Sequence, residues 1–343
     1  MKTLVVEKDG SLEIREVPVP KYNEKQALVK TISCGICNGT DAKLIHKKFK
    51  GFDEDAYPIM LGHEAVGEVI EVGSEVKGYK IGDKVLLPFV DADEQYGDLG
   101  SGWGGFSEYA VVNDAKAFAA GKVPDAAIAQ TVLPDFVDPV DAAMIVTLRE
   151  VLSSIKRFGI KKDNSIAVFG CGPVGMTFIK FMSLLGIGPI IAFDVMEEKM
   201  QQALVNGADY AFNSKIDDAK ACIRGICPDG VQFVLDAVGM TALINQSMEL
   251  LCDTGKMCCY GIAPVCEMNL DWSKAPYNWQ LQFQQFPSKK EEGECTEQIM
   301  QWLREGTIEL KDYISDYFRW DEVLDAFEKL ERREIKKKGI VVF

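Results

Sequence analysis

Histidine is scarce in this chain: His46 and His63 are the only two among 343 residues. A site built from several imidazoles is therefore excluded, and any bound metal must also draw on thiols or carboxylates. There is no run approaching the roughly 18 apolar residues that a membrane-spanning helix needs. Met1 to Val6 reads as the start of a strand, without the basic and then apolar pattern of a secretion signal, so a cytoplasmic location is expected. Positive charge is short as well. Lys and Arg number 38 against 52 Asp and Glu, and the net charge of -14 argues against nucleic acid or an anionic membrane as partner. A local basic pocket is still compatible with that total.

Ten cysteines in a chain without a secretion signal read as free thiols or metal ligands, not as a disulfide framework. Cys222, Cys252, Cys258 and Cys259 sit among apolar neighbours, where a thiol behaves as a small hydrophobe. The length suits two domains. Short apolar or alternating runs such as Ala27 to Ile32, Ala65 to Val72 and Phe106 to Val112 fill the first part, divided by turns rich in Gly and Asp. That spacing predicts a compact, barrel-like β domain. Near residue 140 the rhythm changes. After an amphipathic helix over Asp141 to Phe158, strands and helices alternate, which predicts a parallel sheet with helices on both faces. The expected domains are 1–148 with 285–343, and 149–284. The closing strand, Gly339 to Phe343, is expected to return to the first domain.

Ile166 to Phe169 is a buried-strand run entering Gly170-Cys171-Gly172-Pro173-Val174-Gly175, a GxGxxG sequence followed by helical spacing. In such a turn Gly170 permits the sharp reversal, Gly172 lets backbone approach a pyrophosphate, and Gly175 lets helix and strand pack closely. The helix N-terminus, opened by Pro173 and Val174, offers unpaired N–H groups to phosphate. Asp194 ends the next predicted strand, 24 residues after Gly170. A carboxylate there bonds ribose hydroxyls and repels a 2′-phosphate, which points to NAD over NADP. Its other reading is a cap for the helix beginning at Glu197. Lys199 pulls the other way, as a basic residue that tolerates a 2′-phosphate.

Cys37 and the adjacent His63 and Glu64 are candidate zinc ligands. Cys34 and Cys37 form a CxxC, but no second close pair at ribbon spacing accompanies it, so Cys34 reads as packing and Cys37 as the ligand. The segments GICNGTD at 35–41, GHEAVGEVIEVG at 62–73, GGFSEY at 104–109 and VFGCGPVG at 168–175 together resemble the medium-chain, zinc-type alcohol and polyol dehydrogenases. The resemblance spans essentially the whole chain. It implies a GroES-like catalytic domain with a Rossmann doubly wound parallel sheet, zinc and NAD meeting in a cleft, and hydride transfer between a secondary alcohol (a polyol, sugar or sugar-derived acid) and its ketone. It also implies a homodimer or homotetramer.

Three departures bear on the chemistry. One extra residue follows Cys37, which puts Thr40 at the hydroxyl relay and Lys43 where many relatives shuttle a proton; Lys43 also reads as a plain solvated charge. The family's third metal ligand falls on Val146, which has no donor atom. That leaves Glu64 as third ligand, Glu150 reaching in from one helical turn further on, or loss of the metal. Residues 89–120 contain no cysteine, so a second, structural zinc is not expected. Phe49, Trp103, Trp272, Tyr277 and Trp279 are candidate cleft aromatics. Two other functions fit parts of the sequence. A zinc-free reductase of an activated double bond or quinone is favoured by Val146. A non-catalytic NAD-binding protein is disfavoured by Cys37, Thr40 and Asp194.

Overall fold

The computed structural model describes residues 1–119, 121–263 and 267–343. The chain opens with an antiparallel hairpin, β1 (Lys2–Val6) and β2 (Leu12–Glu16), followed by the long β3 (Gln26–Ile36) and the short helix α1 (Asp41–Ile45). Strands β4 (Ile59–Met60), β5 (Ala65–Val72), β6 (Lys84–Leu86), β7 (Gly100–Ser101) and β8 (Tyr109–Asn113) come next, then helices α2 (Asp125–Ala129) and α3 (Met144–Phe158). Strand and helix then alternate through β9 (Ile166–Phe169), α4 (Pro173–Leu184), β10 (Ile190–Asp194), α5 (Glu197–Val205), β11 (Tyr210–Asn213), α6 (Ala219–Ile226), β12 (Val231–Asp236) and α7 (Thr241–Ser247). After β13 (Leu251–Cys259) and β14 (Trp279–Phe283) come α8 (Lys289–Gly293), α9 (Thr296–Arg304), β15 (Ile314–Arg319), α10 (Val323–Glu331) and β16 (Lys338–Val342).

Contacts divide the chain into two units, Met1–Arg149 with Ser288–Phe343, and Glu150–Pro287. In the first, one sheet runs β2-β1-β4-β7 and the other β15-β16-β3-β5-β6, with β8 also paired to β3. Isolated bridges, such as Thr3 with Ser107, tie them together, but the hydrogen bonding does not close into a full barrel. β3 is the organising strand. It is buried along most of its length and runs antiparallel to β5, β8 and β16. The register sets Ile36 opposite Gly339 and Cys34 opposite Ala65. The residues just beyond those pairs are Cys37, Glu64 and Lys338. Strand pairing alone thus gathers a thiol, a carboxylate and an ammonium at one end of the sheet.

The second unit is a six-stranded, wholly parallel sheet of order β11-β10-β9-β12-β13-β14, the doubly wound arrangement. β9 is the apolar run Ile166-Ala167-Val168-Phe169, buried at every position, and Ile190 to Phe193 of β10 are buried likewise. The strand order reverses between β9 and β12. The carboxyl ends of these two strands therefore mark the crevice where open α/β sheets bind ligands. No helix among the described residues is long and apolar enough to cross a membrane.

Candidate active site

Cys37, His63 and Glu64 come together as the strand register requires. One ligand atom from each lies within 4.8 Å of the others, in a half-buried to buried setting. Asp41, without solvent exposure at the start of α1, organises two of the three. Its Oδ2 accepts the Cys37 backbone N–H at 2.8 Å, and its Oδ1 lies 3.3 Å from His63 Nδ1. A carboxylate behind the histidine at this distance is how metal-binding imidazoles are commonly backed, with Nε2 facing away from it. Burial alone would lower the His63 pKa. The Asp41 carboxylate and the Cys37 sulfur outweigh it and hold the imidazole well above its ordinary range.

Glu64 is fully buried and bound on several sides. Lys338 Nζ donates to its Oε1 at 2.7 Å and Oε2 at 2.6 Å, and Thr147 Oγ1 donates to Oε1 at 2.9 Å. Burial pushes the Glu64 pKa up, but the Lys338 and His63 charges and the hydrogen bonds prevail and lower it. Gly35 makes room for this carboxylate: a Cβ at that position would lie 2.3 Å from Glu64 Oε2. Thr40 is buried beside the group and its hydroxyl makes no helix-capping bond, while Lys43 is half-buried on α1. The donor group does not include Glu150, whose backbone carbonyl accepts the Ser153 and Ser154 hydroxyls at 2.8 Å. Val146 is buried in α3. His46 is exposed and pairs with Glu331. Of the candidate aromatics, Trp103 stands against His63, ring centroids 5.6 Å apart, with Phe49 packed behind it. Trp272 and Tyr277 are exposed on the second unit and Trp279 lies on its edge strand β14.

In the second unit Gly170 has φ 94°, the left-handed region that favours glycine. A Cβ on Gly175 would lie 1.9 Å from the Gly170 carbonyl oxygen, whereas one on Gly172 would meet nothing within 4 Å. The first glycine thus makes the turn and Gly175 permits close packing, while Gly172 leaves open space at the N-terminus of α4, which begins at Pro173 and Val174. Asp194 ends β10 and accepts the Cys171 N–H at 2.7 Å and the Met196 N–H at 3.0 Å. It thereby fastens the glycine turn to the next strand. Lys199 follows on α5 and bonds Gln202. Across the switch point Asp236 accepts the N–H groups of Val238, Gly239 and Met240, a loop anchor that motif reading did not single out.

The sequence matches two family descriptions, "Alcohol dehydrogenase GroES-like domain" over residues 23–125 and "Zinc-binding dehydrogenase" over 173–303. It is 30% identical over 261 residues to (R,R)-butanediol dehydrogenase of Bacillus subtilis, covering 69% of this chain and 70% of that protein. The chain belongs to the zinc-type alcohol dehydrogenase family. Within this family it is also 25% identical to the sorbitol dehydrogenase of Bacillus subtilis over 339 residues, 96% of this chain and 93% of that one. The solved structure of 2R,3R-butanediol dehydrogenase from Bacillus subtilis superposes with a TM-score of 0.79 at 22% identity, covering 100% of this chain and 99% of that one. Benzyl alcohol dehydrogenase from Acinetobacter calcoaceticus gives 0.81 at 19%, with the same coverage. These likenesses establish the two-part dehydrogenase fold read from the motifs.

Lys338 and Thr147 escaped motif reading because they lie far in sequence from Glu64 and meet it only through strand pairing and the approach of α3. Removing one partner of a buried ion pair leaves an uncompensated charge. Lys338→Met is therefore expected to cost about 3–5 kcal/mol of stability, and Glu64→Gln with Lys338→Met much less. Because the folded pKa of Glu64 is lowered, its stabilisation is complete above the ordinary value of 4.5 and is lost as pH falls through the lower folded value. Urea midpoints measured against pH should show this acid-side loss in the wild type and not in the double variant. Equal stability of the wild type and Lys338→Met would contradict this role.

Proposed function

We propose that this protein is an NAD(H)-linked, zinc-dependent dehydrogenase that interconverts a secondary alcohol, of the polyol or sugar class, and its ketone. The observation that carries the proposal is the convergence of Cys37, His63 and Glu64 with Asp41 behind the histidine. One thiolate, one imidazole and one carboxylate make a donor set suited to a catalytic zinc with an exchangeable fourth position. Zinc held there supplies polarisation of the alcohol oxygen, and NAD supplies the hydride acceptor. The chain's own groups do the rest. Thr40 takes the hydroxyl proton, and Lys43 relays it outward. Asp41 holds Cys37 and His63 in register. Glu64 would serve as the third ligand with one carboxylate oxygen, and Lys338, which now engages both, would tune how strongly it binds. Asp194 takes the ribose hydroxyls at the carboxyl end of β10.

Elemental analysis should find one zinc per chain, reduced by Cys37→Ser, His63→Ala and Glu64→Gln and retained by Glu150→Gln. Two tightly held zincs would contradict the proposal, and full retention in Glu64→Gln with loss in Glu150→Gln would move the third ligand to Glu150. Val146 and the prior engagement of Glu64 favour one second reading, a zinc-free reductase of an activated double bond. Turnover by protein that stays metal-free after reconstitution would establish it. NAD should be preferred to NADP by at least about tenfold in kcat/KM, a difference of about 1.4 kcal/mol. Asp194→Ala should narrow the preference; better NADP turnover by the wild type contradicts the ribose role.

A further inference from the structure

The first unit holds a second arrangement that the zinc and nicotinamide readings do not use. A partly open cavity of about 170 Å³ lies beside His63 and is walled by Trp103, Leu87, Phe89, Asp91 and Lys289. At about 30 Å³ per water in the liquid, that is space for a molecule of a few carbons. Leu87 and Trp103 both carry left-handed backbone, φ 61° and 72°. Such conformations persist where surrounding structure over-determines them, and they cluster at ligand sites.

Lys289 is not a loose surface lysine. It opens α8, whose N-terminus is held by a Ser288–Glu291 capping box. The backbone N–H groups of Lys289 and Lys290 both donate to the Asp125 carboxylate, at 2.9 and 3.1 Å. The Lys289 Nζ donates to Glu292 Oε1 at 2.7 Å, and Glu292 has no solvent exposure. Glu292 Oε2 has no hydrogen-bond partner among the described residues. A buried carboxylate kept incompletely satisfied needs a reason. Holding an ammonium at a cavity wall is one, because an ammonium has three donors and can serve Glu292 and a ligand together.

We propose that Lys289, steadied by Glu292, is a specificity-determining residue that binds a second hydroxyl of a short-chain diol whose reacting hydroxyl lies toward His63. This rests on the dehydrogenase reading of the same site. The charges favour a diol over a hydroxy acid. Glu292 already neutralises Lys289, and Asp91 adds a negative charge to the wall, so a substrate carboxylate gains little net attraction. A neutral hydroxyl accepts from the ammonium and donates to a carboxylate. A site built to hydrogen-bond a hydroxyl discriminates strongly against the analogue that lacks it, because its buried polar group is then left without that partner.

The test compares 2-butanol, 2,3-butanediol and 3-hydroxybutanoate, which share a four-carbon frame, with zinc-loaded enzyme and NAD. Wild-type kcat/KM should be highest for the diol. In Lys289→Met the diol-to-2-butanol ratio of kcat/KM should fall about tenfold or more, chiefly through KM for the diol. Because that variant strands the Glu292 charge, Lys289→Met with Glu292→Gln is made alongside it and should show the same fall in ratio. Parallel losses on diol and mono-alcohol would mean a structural role and overturn the proposal. So would an unchanged ratio, or a wild-type preference for 3-hydroxybutanoate. A wild type inactive on all three overturns this inference; the dehydrogenase reading falls only if a wider panel of polyols and sugars also gives no turnover, and the other outcomes overturn this inference alone.

Discussion

A carboxylate without contact with water stays ionised only when opposite charge or hydrogen-bond donors are brought to it, and the first unit is arranged around that requirement at Glu64. Lys338 meets both carboxylate oxygens, and Thr147 adds a hydroxyl. The ion pair follows from β3 lying between β5 and β16, so the closing strand of the chain is part of the site. A desolvated ion pair is weak evidence for net stability, since its desolvation cost rivals its attraction. Its value here is positional. It holds Glu64 next to His63, 3.9 Å from Oε1 to Nε2.

The same logic recurs one layer out. Asp41 is a second fully buried carboxylate, matched by the Cys37 backbone and the His63 ring. Glu292 is a third, matched by Lys289 beneath the cavity wall. In the second unit Asp194 and Asp236 each accept backbone N–H groups of the loops at the ends of β9, β10 and β12, leaving their remaining lone pairs for other donors. These bonds anchor the loops at the switch point, the place where open α/β sheets bind ligands. The few buried acidic residues thus act as internal fasteners, while the net charge of the chain says little about the substrate.

Much of this was legible in the sequence, where local pattern carries the information. The glycine turn after Ile166 to Phe169, the strand–helix alternation and the GHE segment each place their residues within a few positions of one another. The first unit was read as barrel-like from turn spacing, and its two sheets are so arranged without closing. Strands β2, β4, β7, β11, β14 and β15 are not evident from the sequence: β4 and β7 are two residues each, and β2, Leu-Glu-Ile-Arg-Glu, alternates but has no fully buried position. The partners of Glu64 are illegible for a different reason: their contacts span sequence separations that only the register of β3 and the approach of α3 create. The Lys289–Glu292 pair is local to α8, three residues apart, but its place at the cavity wall comes only from the docking of the returning C-terminal segment. Asp41 was visible in the motif, but its grip on both Cys37 and His63 needed coordinates.

The central claim is that one zinc is held by one sulfur and by nitrogen and oxygen donors. X-ray absorption at the zinc edge of the zinc-loaded protein reads that shell directly. The account predicts a single sulfur at about 2.3 Å with nitrogen and oxygen neighbours at about 2.0–2.2 Å. A shell of four sulfurs, or one with no sulfur, would contradict it.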